Sequence, residues 1–354
     1  MEKNKYIQLY SFSDNVEYAV LLINGNVYLY PSEKDKYVIN GKNIIIGSTE
    51  LILNKLLGIE TVRIETAITT QNSKFKKIPS EKFITSLNSF SFILNVSMVI
   101  AKQVLLSNQI ITNNLRTLSN AELKNRELTV EYFNIITELI SEFKQRKHPW
   151  LKNLISKHEI NLSYKQGQAF AKANEPTKIT TPIHLDNNII EYPSGSTICE
   201  EGTIGDEMYI LQSGMIDVII GKNKIITINE KGTIFGEMAL LLNEKRTATL
   251  RSKNSVIAIR IKKNELKEVF STQQEIITSL ATSLAQKHYY NILKIDSINE
   301  IQSEKNIHKS DSEKKKEKLQ SHRSYINLQD LKKEITEIYE NKEAEFLKKI
   351  LEKF

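Results

Sequence analysis

Between Gly232 and Leu250 the sequence reads GTIFGEMALLLNEKRTATL. Gly236 marks a turn, Met238 to Leu242 has the make-up of a short helix, and a strand begins near Thr247. The first backbone N–H groups of such a helix lack intrahelical acceptors and are partly positive, so they attract an anion, and Gly236 lets that backbone come close to it. Arg246 returns at the far end of the loop, where its guanidinium can pair with phosphate oxygens through charge-assisted hydrogen bonds. Glu237 sits at the same helix start and would repel a phosphate unless it turned to accept from a hydroxyl nearby. A carboxylate for a hydroxyl, with a helix start and an arginine for a phosphate, matches a ribose cyclic monophosphate. The plain alternative is an ion pair of Glu237 with Arg246 that pins a loop, as charged loop residues commonly form.

Phe235-Gly-Glu-Met-Ala-Leu240 followed by Arg246-Thr-Ala-Thr249 resembles the phosphate-binding cassette of the cyclic-nucleotide-binding domain family, as in catabolite activator protein and the regulatory modules of cAMP- and cGMP-dependent kinases. Upstream, GSTICEEGTIGDEMYILQSGM from Gly195 to Met215 is similar to the opening strands of that family. The resemblance covers about residues 185 to 293. It implies Glu237 on the ribose 2′-hydroxyl, Arg246 on the cyclic phosphate, and backbone from Gly236, Met238 and Ala239, with Thr247 and Ala248 completing the binding set. Family members with threonine at the position of Thr247 often favour cGMP by contacting guanine. Bacterial-type cAMP binders carry a hydroxyl there too, and threonine is favoured in strands in any case. The implied ligand is cAMP or cGMP; a cyclic dinucleotide suits one carboxylate and one arginine less well.

The elements that must hold this cassette follow from periodicity. Residues 1 to 83 read as short strands, with Asn24-Gly25-Asn26 as a hairpin turn. From Ser80 to about Lys172 apolar residues recur at three- and four-residue spacing, the period of amphipathic helices. Asn174 to Leu185, with Pro176 and Pro182, reads as a linker, and strands return from Ile189 to Ile261 among closely spaced glycines. Beyond Lys263 the chain is helical again, and no Gly or Pro occurs after Gly236. Gly25 and Gly47 are 22 residues apart, as are Gly214 and Gly236, and each pair precedes a run into a long helix. This suggests an internal repeat.

The fold expected is therefore α+β, with two cyclic-nucleotide-binding-type, jelly-roll-like β-barrel domains joined and flanked by long helices. The boundaries are 1–83 for a degenerate N-terminal copy, 84–173 for a helical connector, 174–185 for a linker and 186–295 for the nucleotide-binding domain with its lid helix. A polar linker over 296–325 and an amphipathic helix over 326–354 follow. In the N-terminal copy Gly47-Ser48 stands in place of Gly236-Glu237, and Gly58-Ile-Glu-Thr-Val62 replaces the arginine region. No ligand is expected there, and whether Arg63 substitutes in space is left open. The lid helix over 264 to 293 offers Leu266, Val269 and Phe270 as anchors, an apolar stripe of Ile276, Ile277, Leu280 and Leu284, and the hydroxyls of Thr278, Ser279, Thr282 and Ser283.

The chain has 354 residues with 49 Lys+Arg, 42 Asp+Glu, six histidines and one cysteine. That composition is ordinary for a globular protein. One cysteine, Cys199, excludes an intramolecular disulfide framework and a Cys-rich zinc site, and the scattered histidines lack metal-ligand spacing. No phosphate loop and no nucleophile elbow is present, so no cofactor, metal or catalytic residue is expected and the chain is not read as an enzyme. The first residues hold no apolar export segment, and Phe90 to Ala101 is too short and polar to span a bilayer, so a cytoplasmic, membrane-free protein is expected. From Asp296 onward Lys+Arg and Asp+Glu both number 13, which speaks against binding to nucleic-acid phosphates. The expected partner is another protein, or a second copy joined through the helices. A ligand-free scaffold and a DNA-binding regulator with an unrecognised reading head are the alternatives.

Overall fold

A computed structural model of the chain describes residues 6–173, 177–179, 183, 185, 188–310 and 327–354. Two compact units share the chain, one formed by Met1–Ser107 with Glu175–Tyr289, the other by Asn108–Asn174 with Tyr290–Phe354. The expected linker over 174–185 lies mostly outside the described residues, as does the expected polar linker from residue 311 onward.

In the first unit the N-terminal half holds β1 (Tyr6–Tyr10), β2 (Tyr18–Tyr30), β3 (Tyr37–Ile46), α1 (Ser48–Leu56), β4 (Thr66–Thr70) and β5 (Lys74–Pro79). β2 is the spine of an antiparallel sheet ordered β1-β4-β2-β3. One edge of β2 pairs with β3, while the other is shared, β5 taking Tyr18 to Asn24 and β4 taking Val27 to Tyr30. The expected hairpin at Asn24-Gly25-Asn26 is not formed, because Gly25 lies inside β2 near the change from β5 to β4. A Cβ there would come within 2.2 Å of Ser73 Oγ, so glycine is what admits the β4–β5 turn.

The C-terminal half holds β6 (Thr177–Lys178), β7 (Ile189–Tyr192), β8 (Thr197–Cys199), β9 (Glu207–Ser213), β10 (Ile216–Ile220), β11 (Asn223–Ile228), β12 (Thr233–Phe235), β13 (Thr249–Ser252) and β14 (Val256–Lys262). They form two antiparallel sheets, β11-β10-β13-β8 and β6-β12-β9-β14-β7. Leu211 and Phe235 of one sheet share a buried core with Ile216 and Leu250 of the other. The expectation of closed β-barrels is thereby corrected: all three sheets are open. Closure requires the first and last strands to bond to each other, and the end strands β6 and β8 have only two and three residues.

Helices fill the rest of this unit. They are α2 (Ser80–Ser86), the first part of α3 (Phe90–Leu115), α7 (Glu237–Leu242), α8 (Leu266–Thr272) and the first part of α9 (Gln274–Ser310), with α4 to α6 belonging to the second unit. α3 is long and apolar enough to cross a bilayer by length and composition, yet its Ile93, Val96, Ile100 and Val104 are buried in one core with Leu51 of α1, Leu240 of α7 and Leu280 and Leu284 of α9. The stripe on α9 is thus packed within the unit, as are its anchors Leu266, Val269 and Phe270 on α8. With no Gly or Pro to interrupt it, α9 runs unbroken to Ser310.

The second unit contains α4 (Asn120–Arg146), α5 (Pro149–Glu159), α6 (Leu162–Lys172), α10 (Leu328–Lys342) and α11 (Glu345–Lys353). Leu331 and Ile335 of α10 and Leu347 and Ile350 of α11 bury the C-terminal apolar stripe against Tyr132, Ile136 and Leu151. α6 crosses α4 closely at Gly167, where a Cβ would meet Thr129 O at 1.9 Å. His158 is fully buried, with Tyr132 Oη 2.6 Å from Nδ1 and Glu334 Oε2 3.1 Å from Nε2.

Candidate functional site

The loop from β12 through α7 to β13 folds around Arg246. Gly236 enters α7 with φ 78°, ψ 0°, a left-handed conformation that favours glycine, and Asn243 ends the helix in the same region. Arg246 is 6% exposed. Its Nη1 donates to Gly236 O at 2.6 Å and its Nη2 to Glu207 O at 2.7 Å, tying the loop to the start of β9. The backbone laces the same region, with Arg246 N donating to Thr203 O at 2.7 Å and Gly202 N to Arg246 O at 2.9 Å. Two carbonyls orient a guanidinium but do not neutralise it, so the group stays a cation seeking an anion.

Of the residues singled out from sequence, Gly236, Ala239 and Arg246 converge most closely. Gly205 joins them: a Cβ on it would lie 2.5 Å from Ala239 Cβ and 2.8 Å from Arg246 Nε. Glu237 is the first residue of α7 and 5% exposed, and Met238 beside it is half-buried. Thr247 is exposed and Ala248 half-buried, both in the bend ahead of β13, which starts at Thr249. The strand expected near Thr247 thus begins two residues later. Cys199 is half-buried in β8, its thiol pushed above the usual range by burial.

Glu237 is not paired with Arg246. Its partner is Lys287 of α9, with Nζ 3.2 Å from Oε1. Sequence reading missed Gly205, Glu207 and Lys287. The Gly202-Thr-Ile-Gly205 spacing was a usable sign of close backbone approach, whereas nothing local marks Lys287, 50 positions from Glu237. The hydroxyls of Thr278 and Thr282 on α9 donate to the helix's own carbonyls of Gln274 and Ser279.

The residue after Lys287 enters the N-terminal half. His288 Nδ1 lies 2.8 Å from Thr49 Oγ1 on α1, and Nε2 lies 3.1 Å from Tyr37 Oη. Tyr37 Oη is 2.5 Å from Glu65 Oε2, and Gln103 Nε2 donates to Glu65 Oε1 at 2.9 Å. All five side chains are buried. Burial holds the His288 imidazole down at about 3 and lifts the Glu65 carboxyl to about 8, so both groups are neutral at pH 7.

Residues 189–273 match the cyclic nucleotide-binding domain family. Over 125 residues the chain is 30% identical to a cGMP-dependent protein kinase of Toxoplasma gondii, an alignment covering 35% of this chain and 12% of that one. Over 56 residues the chain is 46% identical to a cAMP-dependent protein kinase regulatory subunit of Mucor circinelloides f. lusitanicus, covering 16% of this chain and 13% of that one. Among solved structures it is similar to the catabolite activator protein of Thermus thermophilus, with 20% identity, coverage of 34% of this chain and 54% of that one, and a TM-score of 0.26. The chain spans about an eighth of the two kinase-related proteins. Gly205, Gly236, Glu237 and Arg246 all fall within the matched span of 189–273, while Lys287 falls outside it.

Proposed function

We propose that this chain is a non-catalytic sensor of a cyclic mononucleotide, cAMP or cGMP, bound where α7 begins. The observation that carries the reading is Arg246, a buried guanidinium held by the Gly236 and Glu207 carbonyls and packed closely against Gly205 and Ala239. Arg246 pairs with the cyclic phosphate, and the backbone of Gly236, Met238 and Ala239 approaches it. Glu237 accepts from the ribose 2′-hydroxyl, which draws its carboxylate away from Lys287. Thr247 and Ala248 line the outer side, and the exposed Thr247 hydroxyl is placed to meet a purine edge. Because Lys287 and His288 are neighbours on α9, release of Glu237 acts on the helix that also docks into the N-terminal half. A ligand shifts such a helix only by its differential affinity for two positions. Helices then report occupancy to a protein partner or a second copy.

The test is calorimetric titration of the full chain with cAMP, cGMP and a cyclic dinucleotide, beside Arg246→Ala and Glu237→Ala variants shown to be folded by circular dichroism. The expected outcome is one cyclic mononucleotide bound, with affinity at least a hundredfold weaker in Arg246→Ala. A wild-type chain purified free of nucleotide that binds none of the three overturns the sensor reading in favour of a scaffold.

A further inference from the structure

The two halves of the first unit hold an arginine in the same way. Gly47 enters α1 with φ 69°, ψ 25°, as Gly236 enters α7 with φ 78°, ψ 0°. Arg63 Nη1 donates to Gly47 O at 2.9 Å, as Arg246 Nη1 donates to Gly236 O at 2.6 Å. The second nitrogen, Nη2, donates in each case to the carbonyl of a strand's first residue, Tyr18 of β2 for Arg63 and Glu207 of β9 for Arg246. A Cβ on Gly47 would lie 2.6 Å from Arg63 Nη1, and one on Gly236 would lie 2.7 Å from Arg246 Nη1. The 16 residues from Gly47 to Arg63 against ten from Gly236 to Arg246 hide this match from any comparison by spacing.

Counted from the two glycines, Ser48 stands where Glu237 stands, and Glu50 where Ala239 stands. In the C-terminal half this position is an alanine, which offers Arg246 no charge partner. In the N-terminal half it is a carboxylate: Glu50 Oε2 is 3.2 Å from Arg63 Nη1, and Glu50 Oε1 accepts from Ile64 N at 3.2 Å. Both side chains are fully buried. Arg63 Nε, also buried, has no hydrogen-bond partner among the described residues, although the Tyr10 ring lies over the guanidinium with its centroid 4.3 Å from Cζ. An unpaired buried guanidinium is strongly unfavourable, so some anion has to be present.

We propose that Glu50 is a built-in substitute for a ligand phosphate, which keeps the N-terminal half in an anion-occupied state without taking up a nucleotide. The inference rests on the reading of Arg246 as the phosphate-binding arginine. It gives the N-terminal half a definite role. Thr49, the residue before Glu50, bonds His288, so the internal acid fixes the face of α1 on which α9 docks, whatever the nucleotide level.

The experiment uses the full chain with Arg246→Ala as background, so that phosphate cannot act at the C-terminal site. Glu50→Ala is added, and thermal midpoints are followed against inorganic phosphate, with chloride at equal ionic strength as reference. The expected result is a lowered midpoint in chloride that phosphate restores, with half-saturation at least tenfold lower than in Arg246→Ala alone. If the double variant does not fold in chloride, refolding yield in phosphate against chloride reads the same property, and a severalfold gain is expected. No preference for phosphate in either measurement overturns the proposal, as does a second nucleotide bound per wild-type chain that persists in Arg246→Ala. Failure of the wild-type chain to bind any cyclic nucleotide would count against the sensor reading instead, and phosphate rescue would still decide the role of Glu50.

Discussion

At Glu237 an ammonium is already in place, with Lys287 Nζ 3.2 Å from Oε1 and only 19% of the Lys287 side chain exposed, so under the proposed binding mode a ribose would meet it. A hydroxyl that takes Oε1 displaces that partner, so in that geometry removing the ammonium favours the ligand. Lys287→Met, which keeps the aliphatic stem, is expected to raise nucleotide affinity about threefold to tenfold by calorimetry, the size of one net hydrogen bond. An unchanged affinity would mean that the pair does not compete. Gly236 is constrained on two counts, its φ of 78° and the 2.7 Å that would separate an added Cβ from Arg246 Nη1. Gly236→Ala is therefore expected to cost about 1–3 kcal/mol of stability and to weaken nucleotide binding, measured by urea unfolding and calorimetry on the same sample.

Among the elements, α9 is held by groups whose protonation differs between folded and unfolded chains. The Glu65 carboxyl rises from 4.5 to about 8 on folding, because burial disfavours its charge, so its contribution is fully present below pH 4.5 and is lost as pH rises through 8. The His288 imidazole falls from 6.5 to about 3 for the same reason, so its contribution is present above pH 6.5 and is lost as pH falls through 3. Between 4.5 and 6.5 each state carries one proton on this pair, on Glu65 when folded and on His288 when unfolded. Stability from the pair is expected to be flat across that window, to decline below it, and to decline by about 2 kcal/mol between pH 6.5 and 8. Glu65→Gln, which stays neutral at every pH, should remove the upper decline and extend the lower one up to pH 6.5, as read from urea midpoints at stepped pH. A decline above pH 6.5 that survives in Glu65→Gln would place its cause elsewhere.

On the scale of the whole molecule, the two units have separate cores and should respond separately. Leu347 is fully buried in the second unit among Tyr132, Leu151 and Leu331. Leu347→Ala is expected to destabilise that unit by about 2–5 kcal/mol. In scanning calorimetry it should lower the transition of the second unit, while cyclic nucleotide raises that of the first by mass action. A single transition moved by both would show that the units unfold together.

Residue types along the chain were enough for the parts whose physics is local. Gly236, the short apolar helix after it and the return of Arg246 lie within a few turns of chain, where steric freedom, unpaired N–H groups and charge can be read from residue type. The long helices were legible from periodicity and from the absence of Gly and Pro after Gly236. Local patterns misled at Gly25, which has the look of a turn residue but serves a strand crossing, and at the barrels, since no strand's own pattern says whether a distant edge closes on it. Which charges meet follows from how the distant segments pack. Lys287 reaches Glu237 across 50 positions, Glu50 fills the space beside Arg63, and His288 enters a pocket of Thr49, Tyr37 and Glu65 more than 200 residues away. Such pairings are products of chain packing, and packing depends on the whole set of buried surfaces at once.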